Sequence, residues 1–198
     1  MSAAKQDLRQ QMQAQRLSLS FEQATARARA ASENLLTHPW LARAHVVALY
    51  AAVRAEMSTS FLAEALARDG KVLCYPRLLG QSRELAFHQA REPNLVPNRF
   101  FIPEPPASDP LVSPKDIDLF IVPGLAFDDD GLRLGWGRGY YDVTLRAAAK
   151  AHRVGLGFDF QRVGAVPADG DDEAMDLLAT DRALYITGAR PRADRSLT

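Results

Sequence analysis

Between His45 and Pro76 the chain reads HVVALYA, then TSFLAEALARDG, then KVLCYP. The outer segments are apolar runs with the β-branched content of buried strands. The middle one has helical periodicity, follows Ser58 as a cap and stops at Gly70. Strand, helix and strand joined by short links form a βαβ unit, so the two strands lie parallel in one sheet. A parallel sheet has to be covered on both faces, which makes the fold class α/β. IDLFIVPG agrees with this, because its unbroken apolar run, ending at Pro123 and Gly124, is the pattern of a strand buried on both sides. RVGLGF and ALYIT read as two further strands, and YYDVTLRAAAKAHR as a helix.

Two helices come first, within residues 4–38. AKQDLRQQMQAQR carries Leu8 and Met12 at helical spacing, and SFEQATARARAASENLLTH opens at Ser20, with Gln23 placed for a capping box, and closes at His38 and Pro39. From Gly80 to Pro114 prolines are frequent. ELAFH is a short alternating strand there, and RFFIPEPPASDP cannot be a regular central strand, so loops and edge strands are expected. AFDDDGLRLG reads as a hairpin turning at Asp130 and Gly131, and ARPRADRSLT, residues 189–198, as a frayed tail. With 198 residues and 47% of them hydrophobic, the chain can bury one core, and residues 1–198 are read as a single domain.

The 24 basic and 24 acidic residues cancel, so no overall field draws the protein to nucleic acid or anionic lipid. Any anion site is local. No apolar run approaches the roughly 20 residues of a membrane helix. The start, MSAAKQDLRQQMQAQR, also lacks the apolar stretch of a signal peptide, so the expected location is the cytoplasm. The single cysteine, Cys74, excludes an internal disulfide and is expected to be a buried strand residue.

Local anion binding has one strong candidate, RLGWGRGYYD, with glycines at 135, 137 and 139. Glycine permits positive φ and lets an anion approach main-chain N–H groups. The loop runs directly into a helix, whose first amides favour a phosphate. It has neither the spacing of a dinucleotide fingerprint nor the Gly-Lys-Ser/Thr of a Walker loop. Two readings stay open at this level: an anion cradle, and a tight turn between hairpin and helix. Asp142 divides the same way, between a magnesium ligand and an aspartate favoured by the helix dipole. ADGDDEAMD, from Ala168 to Asp176, divides between a second carboxylate source and a solvated acidic loop.

PGLAFDDDGLRLGWGRGYYD resembles the signature of the 5-formyltetrahydrofolate cyclo-ligases, also called 5,10-methenyltetrahydrofolate synthetases. Other segments follow in that family's order. Lys5 and Arg9 resemble its basic N-terminal stretch, ALYAAVRAEMST its strand followed by Glu and Thr, CYPR its strand end, FIPEP its Ile-x-Glu-Pro, and AVPADGDDEAMDLLATD its closing acidic segment. The resemblance spans Lys5 to about Thr180. It implies a Rossmann-like three-layer architecture of the kind shared with sugar-phosphate isomerases and CoA-transferases, with a mostly parallel central sheet and helices on both faces. It also implies small-molecule substrates, with ATP as co-substrate and magnesium as metal; a monomer is expected.

The implied reaction converts 5-formyltetrahydrofolate to 5,10-methenyltetrahydrofolate and releases ADP and phosphate. The formyl oxygen takes the γ-phosphoryl group, the neighbouring folate amine closes the ring, and phosphate departs. Carried over by residue, Lys5, Arg9 and the run Arg133, Leu134, Gly135, Trp136, Gly137, Arg138, Gly139, Tyr140 and Tyr141 hold ATP, with Arg138 nearest the moving phosphate. Ala51, Glu56, Trp136, Gly137, Arg138, Gly139 and Tyr140 meet the folate, Glu56 and Arg138 are the catalytic pair, and Asp142 and Asp172 hold magnesium. The chain departs from the family in two places: Trp136 stands where many relatives have arginine or tyrosine, and RFFIPEP lacks a glycine before the Ile. Asp169, Asp171 and Asp172 compete for the metal role, and counting back from Asp176 favours Asp172. A non-catalytic nucleotide- or phosphate-binding regulator and a sugar-phosphate isomerase are the rival functions.

Overall fold

The computed structural model describes residues 3–80, 82–167 and 172–188, so the 189–198 tail lies outside the described residues. Five parallel strands form the middle of an eight-stranded sheet. They are β1 (Val46–Ala48), β2 (Val72–Leu78), β7 (Leu119–Pro123), β10 (His152–Leu156) and β11 (Leu177–Ala179). Antiparallel strands close both edges: β3 (Leu85–Gln89) and β6 (Leu111–Val112) beside β2, and β12 (Leu184–Ile186) beside β11. The full order is β12-β11-β10-β7-β1-β2-β3-β6. Two small hairpins stand apart from this sheet: β4 (Val96–Pro97) with β5 (Pro103–Glu104), and β8 (Ala126–Phe127) with β9 (Arg133–Leu134).

The period of two in each strand divides the core. Val47, Leu73, Tyr75, Leu119, Ile121, Val154 and Leu177 face one side, against α2 (Phe21–Leu36), α3 (Pro39–Arg43) and α4 (Ser60–Arg68). Ala48, Cys74, Phe120, Val122 and Leu178 face the other, with Leu145 and Ala148 of α5 (Tyr140–Ala147) and its C-cap. The result is the three-layer α/β sandwich expected, with each buried aliphatic or aromatic side chain contributing about 1.5–3 kcal/mol by leaving water. Cys74 is fully buried in β2, and burial pushes its thiol up to about 12. Among the described residues no helix is long and apolar enough to cross a membrane.

The first helix, α1 (Ala3–Leu17), belongs to neither layer. Its Met12 packs with Leu125, Ala126 and Leu134, so the helix lies along the β8–β9 hairpin. Ser20 and Gln23 form the expected reciprocal capping box at α2. The helix within the βαβ unit is capped at Thr59 instead of Ser58. Thr59 is buried and its hydroxyl donates to the carbonyl of Tyr50, while Ser58 Oγ accepts from the N–H of Ser60. The last helix is shorter than YYDVTLRAAAKAHR implied. It stops at Ala147 because the chain must already turn at Ala148 to enter β10 at His152. Strand β11, from DLLAT, carried no expectation; its three residues are buried between β10 and β12.

Candidate active site

From β1 the chain crosses to β2 on one side, and from β7 it crosses to β10 on the other. The crevice outside the carboxyl ends of β1 and β7 is thus the topological switch point, where open α/β sheets place their ligands. Two segments leave the sheet here: residues 49–59 after β1, and residues 124–139 after β7. Ala51 and Glu56 lie on the first segment, Arg133 to Gly139 on the second, and Lys5 and Arg9 on α1, which lies across the second; Tyr140, Tyr141 and Asp142 follow in α5, and Asp172 precedes β11.

Residues 124–139 are shaped by the buried carboxylate of Asp128. Its Oδ1 accepts from the N–H groups of Asp130 and Leu132 at 3.1 and 2.8 Å, and its Oδ2 from Val166 N–H at 2.8 Å. Gly131 completes the expected turn with φ of 82°, and a Cβ there would lie 2.3 Å from the carbonyl oxygen of Met175. Leu134 is buried and anchors the loop beneath α1. Beyond it Gly137 and Gly139 take φ of 86° and 71°, and Gly139 is the N-cap of α5. The space around Gly139 is open, with nothing within 4 Å of where a Cβ would stand. The first amides of α5 and the exposed Arg138 border this space.

Helix α1 brings three cations to the crevice. Lys5 is buried, with Nζ 3.7 Å from Oδ2 of Asp172, and Arg9 donates from Nε to the carbonyl of Gly135 at 3.0 Å. The third, Arg16, was not a sequence candidate. It is 2% exposed and donates from Nε to Ala55 O at 2.8 Å and from Nη2 to Arg54 O and, at 3.5 Å, Val53 O. Its signal was present in the spacing. Lys5, Arg9, Met12 and Arg16 recur at intervals of four, three and four residues, which is one face of a helix.

Glu56 ends the turn that Arg16 grips. Its Oε2 accepts from Val53 N–H at 3.1 Å and its Oε1 from Trp136 Nε1–H at 3.2 Å. Burial pushes its carboxyl above the ordinary glutamate range, against the opposing pull of those two N–H donors, Arg16 and Arg54. Trp136 is 37% exposed, with the Arg54 guanidinium 4.8 Å from its ring centroid and that of Arg16 at 6.0 Å. Burial also holds the phenols of Tyr50 and Tyr141 well above their usual range, so both remain proton donors. Ala51 is half-buried on the same segment, and Tyr140 packs partly into the α5 side of the core.

The two proposed metal carboxylates come to one corner. Asp142, in the first turn of α5, accepts on Oδ1 from Arg133 Nη2 at 2.9 Å and from Glu173 N–H at 3.3 Å. The guanidinium of Arg133 also faces the Tyr141 ring at 5.6 Å. Glu173 is itself taken up by Arg146 and the buried Arg153, which fixes the chain so that its neighbour Asp172 faces Lys5. Asp169 and Asp171 lie outside the described residues. Among the described residues no group of three or more His, Cys, Asp or Glu is gathered as for a metal held by protein alone.

Residues 1–181 match the family model described as the 5-formyltetrahydrofolate cyclo-ligase family. The chain is 34% identical over 177 residues to a 5-formyltetrahydrofolate cyclo-ligase of Escherichia coli K12, an alignment covering 86% of this chain and 96% of that one. A mouse protein of the same name is 26% identical, with 88% and 92% covered. Among solved structures, a 5,10-methenyltetrahydrofolate synthetase of Aquifex aeolicus is similar at a TM-score of 0.80 and 31% identity, with 98% of this chain and 96% of that chain covered. One from Mycoplasma pneumoniae has a TM-score of 0.73 at 25% identity, with 89% and 98% covered.

Proposed function

The chain belongs to the 5-formyltetrahydrofolate cyclo-ligase family, and from that premise we propose that it cyclises 5-formyltetrahydrofolate to 5,10-methenyltetrahydrofolate with ATP as co-substrate. One observation carries the reading beyond membership. The glycine loop with its α1 cations and the half-buried Glu56 flank a single switch-point crevice, joined through Trp136. A glycine loop suited to an anion and a carboxylate that accepts from a flat N–H-bearing ring therefore lie next to each other, which supports a phosphate donor and a pterin as neighbours.

In this reading the amides after Gly137 and Gly139 and the side chains of Lys5, Arg9 and Arg138 take the triphosphate. Phosphoryl transfer asks a protein chiefly for alignment and charge stabilisation, and preorganised N–H groups and guanidinium supply both. The formyl oxygen attacks the γ-phosphorus and ADP leaves. The neighbouring folate amine then attacks the formyl carbon, loses its proton, and the C–O bond breaks to release phosphate. Glu56 accepts N–H groups of the pterin, holding the formyl group against the loop.

Magnesium is commonly bound by one or two carboxylates together with substrate phosphates and water, and the donor set suits that mode. Asp142 has committed Oδ1 to Arg133 and Glu173, which leaves Oδ2 to a metal, and Asp172 faces the same corner as the Lys5 ammonium. Bound there, magnesium would neutralise charge on the phosphates. A sugar-phosphate isomerase has no use for this nucleotide end, and a non-catalytic regulator has none for Glu56 and Asp142 together.

The test mixes folded protein, magnesium, ATP and 5-formyltetrahydrofolate and follows methenyl absorbance with ADP. Product and ADP rising together is the expected result; the absence of methenyl product would refute the proposal.

A further inference from the structure

Three consecutive carbonyls, those of Val53, Arg54 and Ala55, converge on the guanidinium of Arg16. They do so where Arg54 and Ala55 both adopt left-handed backbone, with φ of 51° and 58°. Two successive non-glycine residues in that region are strained, and such a turn persists only where surrounding contacts over-determine it. Arg16 is the contact in place. Its side chain comes from a separate helix, is nearly fully buried, and gives two of its nitrogens to the turn.

The turn has one evident product. Glu56 N–H donates to Val53 O at 2.9 Å, and Val53 N–H donates to Glu56 Oε2, so the backbone and carboxylate of Glu56 both close on the residue that begins the turn. Val53 O is shared between Glu56 and Arg16. One carboxylate oxygen is thereby tied down, and Oε1 is aimed at Trp136 and the crevice. A charged fork that binds several acceptors in one plane suits this task, and a single ammonium would not reproduce it.

We propose that Arg16 is a positioning residue for the folate end of the site: by gathering the Val53–Ala55 carbonyls it maintains the strained turn that presents Glu56 Oε1 to substrate. This rests on the reading of Glu56 as the folate-side carboxylate. Arg16 acts through the turn and takes no part in handling ATP, although it shares α1 with Lys5 and Arg9.

The test measures KM for ATP and for 5-formyltetrahydrofolate separately, with thermal melts, in the wild type, Arg16→Gln, Ala55→Gly and the double variant. Arg16→Gln should raise the folate KM about tenfold and leave the ATP KM within about twofold. In the double variant, Ala55→Gly should recover part of that loss, because glycine holds positive φ without a Cβ penalty. Equal rises in both KM values, an unchanged folate KM, or a double variant no better than Arg16→Gln each overturn the inference. If Arg16→Gln does not fold, Arg16→Lys, which keeps the charge and loses the fork, should show the same split in KM; its absence overturns the inference equally. A wild type without turnover overturns the ligase reading and this inference together, whereas an active wild type without the split overturns this inference alone.

Discussion

The indole nitrogen of Trp136 donates to Oε1 of Glu56 across 3.2 Å, linking the middle of the glycine loop to the turn after β1. That bond occupies the acceptor through which Glu56 is proposed to hold the pterin. A flat N–H-bearing ring beside two guanidinium groups is also the arrangement a pterin would meet there. Substrate must therefore displace or rearrange this tryptophan.

The chain has two tryptophans, and the other, Trp40, is stacked on His152 at the far end of β10. Titrating 5-formyltetrahydrofolate should change the intrinsic fluorescence, and Trp136→Phe should remove the change. A response carried by Trp40 would show that the Trp136–Glu56 contact is not the folate end.

Burial raises the Glu56 carboxyl, so native protein holds its proton more tightly than the unfolded chain. The stability linked to this group is complete below the ordinary glutamate pKa and is lost as pH rises through the raised folded value. Relative to Glu56→Gln, the wild-type melting temperature should accordingly fall across that window. For the same reason the acid limb of kcat/KM for the folate should lie above the ordinary glutamate range. Parallel melting curves for the two proteins at all pH values would contradict the assignment.

Asp142→Asn keeps the shape beside Arg133 and removes the charge. Turnover at saturating ATP should drop by about a hundredfold or more while the protein stays folded. Circular dichroism and steady-state rates check both parts. Wild-type rates would take Asp142 out of the site.

Gly131 and Gly139 both have positive φ but serve different ends. At Gly131 a Cβ would collide with Met175 O, whereas at Gly139 it meets open space and incurs only backbone strain, about 1–2 kcal/mol. Gly131→Ala should therefore destabilise more in a thermal melt, and only Gly139→Ala should raise the ATP KM out of proportion to its stability loss. The opposite order would reassign the phosphate cradle.

The sheet was legible because HVVALYA, KVLCYP and IDLFIVPG are buried on both faces, which leaves an unbroken apolar signal. LLA in β11 was not, since three residues carry no period and their strand character comes from the neighbours on either side. The AAAK run, with high helix propensity, pointed past the true end of α5, where entry into β10 overrides it. Within the site, the glycine loop 133–139, Asp142 and the acidic segment stood out by residue type, whereas Lys5, Arg9, Ala51 and Glu56 came only from the family resemblance. Arg16 did not stand out, because a basic residue in the last turn of a helix is ordinarily read as a solvated partner of the dipole, and only the tertiary fold buries it. Glu173 gives no signal among its acidic neighbours for the same reason: its ion pair with Arg153 joins positions 20 residues apart and leaves no local pattern.

The central claim is that ATP activates the formyl oxygen itself. Substrate labelled with heavy oxygen at the formyl group, converted by the protein with ATP, should deliver its label into the inorganic phosphate, one atom per methenyl product formed. Methenyl product accompanied by unlabelled phosphate, with the label in water, would contradict it.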